Sequence, residues 1–117
     1  MENINSDLIR DTEKSPSSSS FLLTTVRFLT SIKRNVPAYH AFVLSSGIRI
    51  HNLKQLAIEL DNMPDEVFNY HVNESKNDFY NWIKDVMRDD ELSSMIQNIT
   101  NKKDMQICIL KYIVKRI

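Results

Sequence analysis

Apolar residues recur at helical spacing along most of the chain from residue 52 onward. In the stretch that begins at Asn77, the apolar positions are Phe79, Trp82, Ile83 and Val86, which fall on one face of a helix. We expect Trp82 to be buried, with Leu56, Leu60, Phe68, Phe79 and Ile83 as its neighbours. Asn77 itself is a suitable N-cap, because its side-chain oxygen can accept a backbone N–H. Similar patterns predict further helices over residues 52–63, 64–71, 89–99 and 101–116.

Polar residues and prolines mark where these helices begin and end. Asn52 is followed three residues later by Gln55, a variant of the capping box. Pro64 ends one helix and suits the first position of the next. The helix over residues 89–99 is predicted to start near Asp89 or Asp90, and the helix over residues 101–116 is predicted to be capped by Thr100 or Asn101. Residues 73–76 are predicted to form a loop.

The segment before residue 52 mixes two kinds of pattern. Residues 21–34 have apolar side chains at helical spacing, and Pro37 would stop such a helix. Residues 38–44 are aromatic and β-branched, and Gly47 lies in a short turn before residues 48–50, which predicts a hairpin. The predicted fold is mostly α, a small helical domain of about five helices with one short two-stranded β-hairpin near residues 38–50.

Length and composition predict one folded domain with a tail. Of 117 residues, 42% are hydrophobic and 26% are charged, which is ordinary for a globular protein. Residues 1–20 are polar and rich in Ser, so we expect a disordered tail there and a single helical domain over residues 21–117. The apolar run of residues 21–32 is too short to span a membrane, and the single Cys108 excludes an internal disulfide. A cytoplasmic protein with no membrane contact is expected.

Charge is unevenly distributed although the formal net charge is zero. Residues 50–101 carry ten acidic and four basic residues, whereas residues 102–117 carry five basic residues and one acidic residue. Residues 21–49 carry four basic residues and no acidic one. We expect folding to bring the basic flanks beside the acidic middle, so that the charges partly compensate.

Two motifs resemble a known domain family. Residues 63–73 read Met-Pro-Asp-Glu-Val-Phe-x-Tyr-His-Val-Asn, and residues 76–86 read Lys-Asn-Asp-Phe-x-x-Trp-Ile-x-Asp-Val. Together with the turn at Gly47, they resemble a prokaryotic, mainly archaeal, domain family of unknown function over residues 38–110. The resemblance implies a cytosolic protein from an archaeon or bacterium, either free-standing or attached to a larger chain. It implies no activity.

No pattern in the chain favours catalysis or a bound cofactor. His40, His51 and His71, with Asp78 as a fourth ligand, lack the close spacing that is typical of a metal site. The single Gly excludes a Gly-rich phosphate loop. We therefore expect no enzyme activity, no metal and no cofactor.

The junction between the second and third of the helices after residue 52 holds the candidate site. His71, Asn73, Asn77 and Asp78 are predicted to form one polar cluster there, because a short loop brings the two helix ends together. Such a cluster either fixes the angle between the helices or binds a partner. The candidate binding residues are His71, Asn73, Lys76, Asn77, Asp78 and Trp82.

A protein-interaction or regulatory module is the function that remains after these exclusions. Tyr39, Tyr80 and Tyr112 are expected to be exposed, and such aromatics serve interfaces. The first alternative is a small-ligand sensor that uses the cluster around His71 and Asp78. The second is a nucleic-acid-binding protein that uses the basic C-terminal helix, although the acidic middle would repel phosphates. Oligomeric state is left open.

The first two functions predict different surfaces. A module that binds another protein should expose an apolar patch. A sensor should instead have a concave pocket lined by His71, Asn77, Asp78 and Trp82.

Overall fold

The computed structural model describes residues 31–117, of which residues 31–33 are helical. The Ser-rich tail expected at residues 1–20 lies outside the described residues, as does most of the helix predicted over residues 21–34. The elements that follow are β1 (Phe42–Val43), β2 (Arg49–Ile50), α1 (Leu53–Asn62), α2 (Asp65–His71), β3 (Val72–Asn73), β4 (Lys76–Asn77), α3 (Asp78–Asp85), α4 (Asp90–Ile96) and α5 (Lys102–Arg116). The mostly α fold class predicted from the sequence is confirmed.

Four helices begin at a side-chain oxygen that accepts a backbone N–H three residues later. The donor–acceptor distances are 2.7 Å at Asn52, 3.0 Å at Asn77, 2.9 Å at Asp89 and 2.9 Å at Asn101. Each cap satisfies one of the N–H groups that the first turn leaves unpaired. The predictions for Asn52 and Asn77 are confirmed, and the alternatives for α4 and α5 resolve to Asp89 and Asn101.

The predicted hairpin is present but is shorter than the sequence indicated. β1 and β2 pair antiparallel, with Phe42 opposite Ile50. Gly47 lies in the turn with a φ of 97°, a conformation that glycine adopts without steric cost. Residues 38–40, predicted as strand, form a 3-10 turn because the N–H of His40 bonds to the carbonyl of Pro37 at 2.9 Å.

A second hairpin replaces the loop predicted at residues 73–76. β3 and β4 pair antiparallel, with Val72 opposite Asn77 and Asn73 opposite Lys76. The side-chain oxygen of Asn73 accepts the N–H of Ser75 at 2.9 Å, which closes the turn without a glycine. The strands are two residues long, which is too short for an alternation of apolar and polar residues to indicate them.

The core lies where α1 packs against α5 and α3 packs against α4. Trp82 is 6% exposed, which confirms the prediction that it is buried. The neighbours expected for it are also buried, namely Leu56, Leu60, Phe68, Phe79 and Ile83. Phe42 was not among them, yet its ring packs edge-on against those of His71 and Trp82, with centroids 5.0 and 5.9 Å away.

The turn between α3 and α4 places a bulky residue in a left-handed conformation. Arg88 has a φ of 61°, and the N–H of Asp89 bonds to the carbonyl of Ile83, six residues earlier, at 3.1 Å. α4 ends at Ile96, three residues before the predicted end. Across residues 31–117, no helix is long and apolar enough to cross a membrane.

Candidate functional site

His71 is buried, and both of its ring nitrogens have partners. The backbone N–H of Ser45 donates to Nε2 at 2.9 Å, so Nε2 must be an unprotonated acceptor. The proton of the neutral ring therefore lies on Nδ1, which donates to Oδ2 of Asp78 at 3.0 Å. His71 thus joins the turn of the first hairpin to the start of α3.

The carboxylate of Asp78 is held by two side chains at once. Nζ of Lys76 lies 2.9 Å from Oδ2, the same oxygen that accepts from His71. Burial would raise the pKa of the Asp78 carboxyl, but the hydrogen bonds from Lys76 and His71 and the positive charge of Lys76 hold that pKa below its ordinary value. Asp78 also lies in the first turn of α3, where a negative charge is stabilised.

The two asparagines of the predicted cluster bind backbone groups instead of each other. Nδ2 of Asn73 donates to the carbonyl of Asn69 at 3.0 Å, at the end of α2. The amide of Asn77 caps two helices, because Oδ1 accepts the N–H of Tyr80 in α3 and Nδ2 donates to the carbonyl of Ile96 in α4 at 3.2 Å. Both side chains therefore fix helix ends.

Trp82 takes no part in the polar contacts of the cluster. Its Nε1–H donates to the carbonyl of His40 at 2.9 Å, and its ring packs edge-on against Phe42. The structure therefore brings His71, Lys76 and Asp78 together through side chains and places Trp82 in the core.

A polar groove of about 510 Å³ opens beside the second hairpin. Asn73, Lys76 and Asn77 line it, whereas His71, Asp78 and Trp82 do not. Its other lining residues are Val72, Glu74, Ser75, Tyr80, Asn81, Gln97, Asn98, Ile99 and Thr100. The groove therefore shares only Asn77 with the lining predicted for a sensor pocket.

The three histidines considered as metal ligands are engaged separately. Nδ1 of His51 lies 2.8 Å from the carbonyl of Val36, and the ring of His40 packs against Tyr39. Over the described part of the chain, no three His, Cys, Asp or Glu side chains come close enough to hold a metal ion.

An exposed row of apolar side chains runs along α5 to the C-terminal residue. It consists of Ile107, Leu110, Val114 and Ile117, which are 41%, 43%, 66% and 76% exposed. We call this row the apolar stripe. Its spacings of three, four and three residues are those of a helix face that pairs with another helix.

A second face of α5, adjacent to the stripe, is also apolar and is already covered. Its buried residues are Met105, Gln106, Ile109, Tyr112 and Ile113, and Nε2 of Gln106 donates to the carbonyl of Ala57 in α1 at 3.0 Å. The sequence pattern predicted a helix over residues 101–116 but did not reveal its apolar stripe. The signal was present, because a helix with apolar residues on two faces has more apolar surface than one contact can bury.

Carboxylates of neighbouring helices compensate three of the five cations on α5. The ion pairs are Lys102–Asp65 at 3.3 Å, Lys103–Asp61 at 3.9 Å and Arg116–Glu91 at 2.7 Å. Lys111 and Lys115 form no ion pair with any carboxylate of residues 31–117. Both line a shallow apolar depression of about 330 Å³ together with Leu110 and Val114 of the stripe.

Asp89 is a buried carboxylate, although the sequence pattern indicated only that a helix starts near it. Besides capping α4, it accepts hydrogen bonds of 2.6 Å from the hydroxyls of Ser31 and Tyr112. The expectation that Tyr112 is exposed is wrong, because this buried acceptor allows the ring to enter the core. Burial and the neighbouring Asp89 raise the pKa of Tyr112, so its hydroxyl stays protonated and donates.

Comparison with known proteins adds no relative. No protein-family model matches the chain, and no curated protein or solved structure matches it. The resemblance to an archaeal domain family therefore stays a prediction.

Proposed function

We propose that this chain is a protein-interaction module that holds a helix of another protein against the apolar stripe of α5. The observation that supports this most directly is the exposure of Ile107, Leu110, Val114 and Ile117 in one row. Exposed apolar surface of this continuity is typical of interaction sites. From the resemblance and the single Cys108, we propose the cytosol of an archaeon or bacterium as its setting.

The size of the stripe indicates a reversible contact. Burying one Val, Leu or Ile side chain completely contributes about 1.5–3 kcal/mol, and each stripe residue is already partly covered. Covering what remains of the four contributes on the order of 5 kcal/mol. Association costs at least about 4 kcal/mol in lost translational and rotational freedom. The stripe alone therefore supports weak binding, which suits a regulatory role.

The charges on α5 favour a protein partner over a nucleic acid. Lys102, Lys103 and Arg116 each have a carboxylate partner, so the helix presents no continuous basic face to a phosphate backbone. The polar contacts of His71 and Asp78 are directed inward and join elements of the fold. These contacts support a structural role for that pair.

Photo-cross-linking in a lysate of the source cells tests the proposal. A photoreactive amino acid replaces Leu110 in one variant and Tyr39, which is 82% exposed on the 3-10 turn, in a matched control. We expect a discrete cross-linked protein at position 110 that is absent at position 39 and is lost when Val114→Glu is added. The same products at both positions, or none at position 110, would contradict the proposal.

A small polar ligand is the second candidate, because a groove of about 510 Å³ lies beside the second hairpin. Asn73, Lys76 and Asn77 line it and offer amide and ammonium groups. Amide chemical shifts recorded with and without a metabolite extract test this candidate. Shifts confined to the groove that disappear in Asn98→Ala would support it, whereas an unchanged spectrum would reject it.

A further inference from the structure

We propose that the partner helix is acidic along one edge, and that this edge lies against Lys111 and Lys115. The inference rests on the function proposed above and specifies the chemistry of the partner. It starts from two cations that have no carboxylate partner among the described residues.

Lys111 and Lys115 are four residues apart, so they project from the same side of α5. They share an apolar depression with Leu110 and Val114, which places the aliphatic stems of both lysines beside the stripe. A helix seated on the stripe would bring its own flanking side chains within reach of them. Carboxylates at those positions would pair with both lysines, whereas basic residues would be repelled.

On the other side of the stripe, the flanking residues of α5 at helical spacing are Gln106 and Ile113, which carry no charge. Both are buried against the rest of the fold. The requirement for acidic residues is therefore one-sided. This asymmetry distinguishes the two edges of the partner helix and sets the direction in which it docks.

A second copy of this chain fits the stripe less well. An antiparallel pair centred on the stripe would place Leu110 of one copy against Val114 of the other. The same arrangement would bring Lys111 of one copy beside Lys111 and Lys115 of the other. Like charges at such distances oppose pairing. The charge pattern therefore favours an acidic partner of a different sequence.

Two synthetic peptides provide the probe. Each is a three-heptad helix with Leu at the first and fourth positions, and the flanking positions are all Glu in one peptide and all Lys in the other. Each peptide carries a fluorophore, and anisotropy is measured against the full chain. We expect the Glu peptide to bind about tenfold or more tightly than the Lys peptide, with an affinity that falls as salt is added.

Charge reversal at the stripe tests the assignment of residues. In the double variant Lys111→Glu and Lys115→Glu, we expect the Glu peptide to bind no more tightly than the Lys peptide. The control variant reverses the same number of charges away from α5, with Arg49→Glu and Lys84→Glu. In this control, the Glu peptide should still bind more tightly than the Lys peptide. Val114→Glu should abolish binding of both peptides, and Ile117→Ser should weaken it. Circular dichroism and thermal melting check that every variant is folded.

The outcomes separate this inference from the function that it rests on. Equal affinity of the chain for both peptides would overturn the inference of an acidic partner and leave the stripe as an interaction surface. An equal loss of affinity for the Glu peptide in both double variants would do the same. Sedimentation equilibrium that shows a dimer for the wild type and a monomer for Val114→Glu would assign the stripe to a second copy of the chain and overturn the inference. Failure of both peptides to bind a monomeric chain, together with no cross-link at position 110, would overturn the inference and the proposed function together.

Discussion

The hydroxyl of Tyr112 donates a hydrogen bond of 2.6 Å to the buried carboxylate of Asp89. This contact joins the middle of α5 to the turn that begins α4, and Asp89 caps α4 with its other oxygen. The guanidinium of Arg116 lies 3.8 Å from the centroid of the Tyr112 ring and also pairs with Glu91. The end of α5 is thereby held in place, and with it the residues that present the apolar stripe.

Removal of the Tyr112 hydroxyl should destabilise the fold. We expect Tyr112→Phe to lower the free energy of unfolding by about 1.5–3 kcal/mol, because a hydrogen bond to a charged group is lost inside the protein. Urea denaturation measures the change. Tyr39→Phe, at an exposed ring, should change the stability by less than about 0.5 kcal/mol. Equal effects of the two variants would show that the contact with Asp89 contributes nothing.

His71→Ala should lower stability by about 1–3 kcal/mol, because it leaves the N–H of Ser45 and one side of Asp78 without their partner. Cross-linking at position 110 should remain at temperatures where the variant is folded. The change is measured by thermal melting together with the cross-linking assay. A variant of full stability that loses the cross-link would instead assign a binding role to His71.

The stabilisation by Asp78 should depend on pH in the acid range. Its pKa is lower in the folded protein than the ordinary value of 3.8, so the unfolded chain takes up the proton first as pH falls. The contribution is therefore complete above pH 3.8 and is lost as pH falls through the lower, folded value.

Asp78→Asn measures this contribution directly. We expect the stability difference between wild type and variant to be largest near neutral pH and to shrink below pH 3.8. Denaturant unfolding at a series of pH values provides the measurement, with Asp85→Asn, at an exposed carboxylate of the same helix, as control. A difference that grows with acidity would contradict the assignment.

Trp82 should report its burial by fluorescence, since it is the only tryptophan in the chain. We expect blue-shifted emission in the folded state and a loss of about 3–5 kcal/mol in Trp82→Ala. Trp82→Phe should cost less, because it keeps a ring against Phe42 and loses mainly the bond to the carbonyl of His40. Emission like that of free indole in the folded protein would be incompatible with the packing described here.

Arg88→Gly should stabilise the protein by about 0.5–1 kcal/mol. An L-residue in the left-handed region costs about 1–2 kcal/mol, and glycine avoids that cost while losing about 0.5–1 kcal/mol of chain entropy. Denaturant unfolding measures the sum of the two effects. Arg88→Ala provides the control, since it removes the same charge and keeps the strain, and it should not raise the stability. Equal stability of the two variants would argue against a strained turn.

The sequence predicted the features that depend on local chemistry. Asn52 and Asn77 were identified as caps because a cap needs only a side-chain oxygen and the N–H groups that follow it. The second hairpin was missed because its turn depends on one bond from Ser75 to Asn73 and its strands are too short to show a period. The positions of Tyr112 and Asp89 could not be predicted, since the two residues meet only when α5 packs against the turn before α4.

In the candidate site, too, the contact between residues close along the chain was predicted and the surface that depends on tertiary packing was not. The contact between His71 and Asp78 was predicted, because the end of α2 and the start of α3 are close along the chain. The apolar stripe was missed because the pattern of residues 101–116 predicts a helix without indicating which of its apolar residues stay exposed. Which apolar face a helix leaves uncovered depends on its neighbours in the fold.

Because the side-chain amide of Asn77 caps two helices, its deamidation would affect the two helix ends differently. Its oxygen faces the N–H of Tyr80 and its NH₂ faces the carbonyl of Ile96, so the two ends of the amide are not interchangeable. Deamidation to Asp would keep an acceptor at the start of α3, where a carboxylate is a good cap. It would also turn a second oxygen toward the end of α4, where a donor is required. Deamidation of this single side chain would therefore leave α3 capped and remove its hydrogen bond to the end of α4.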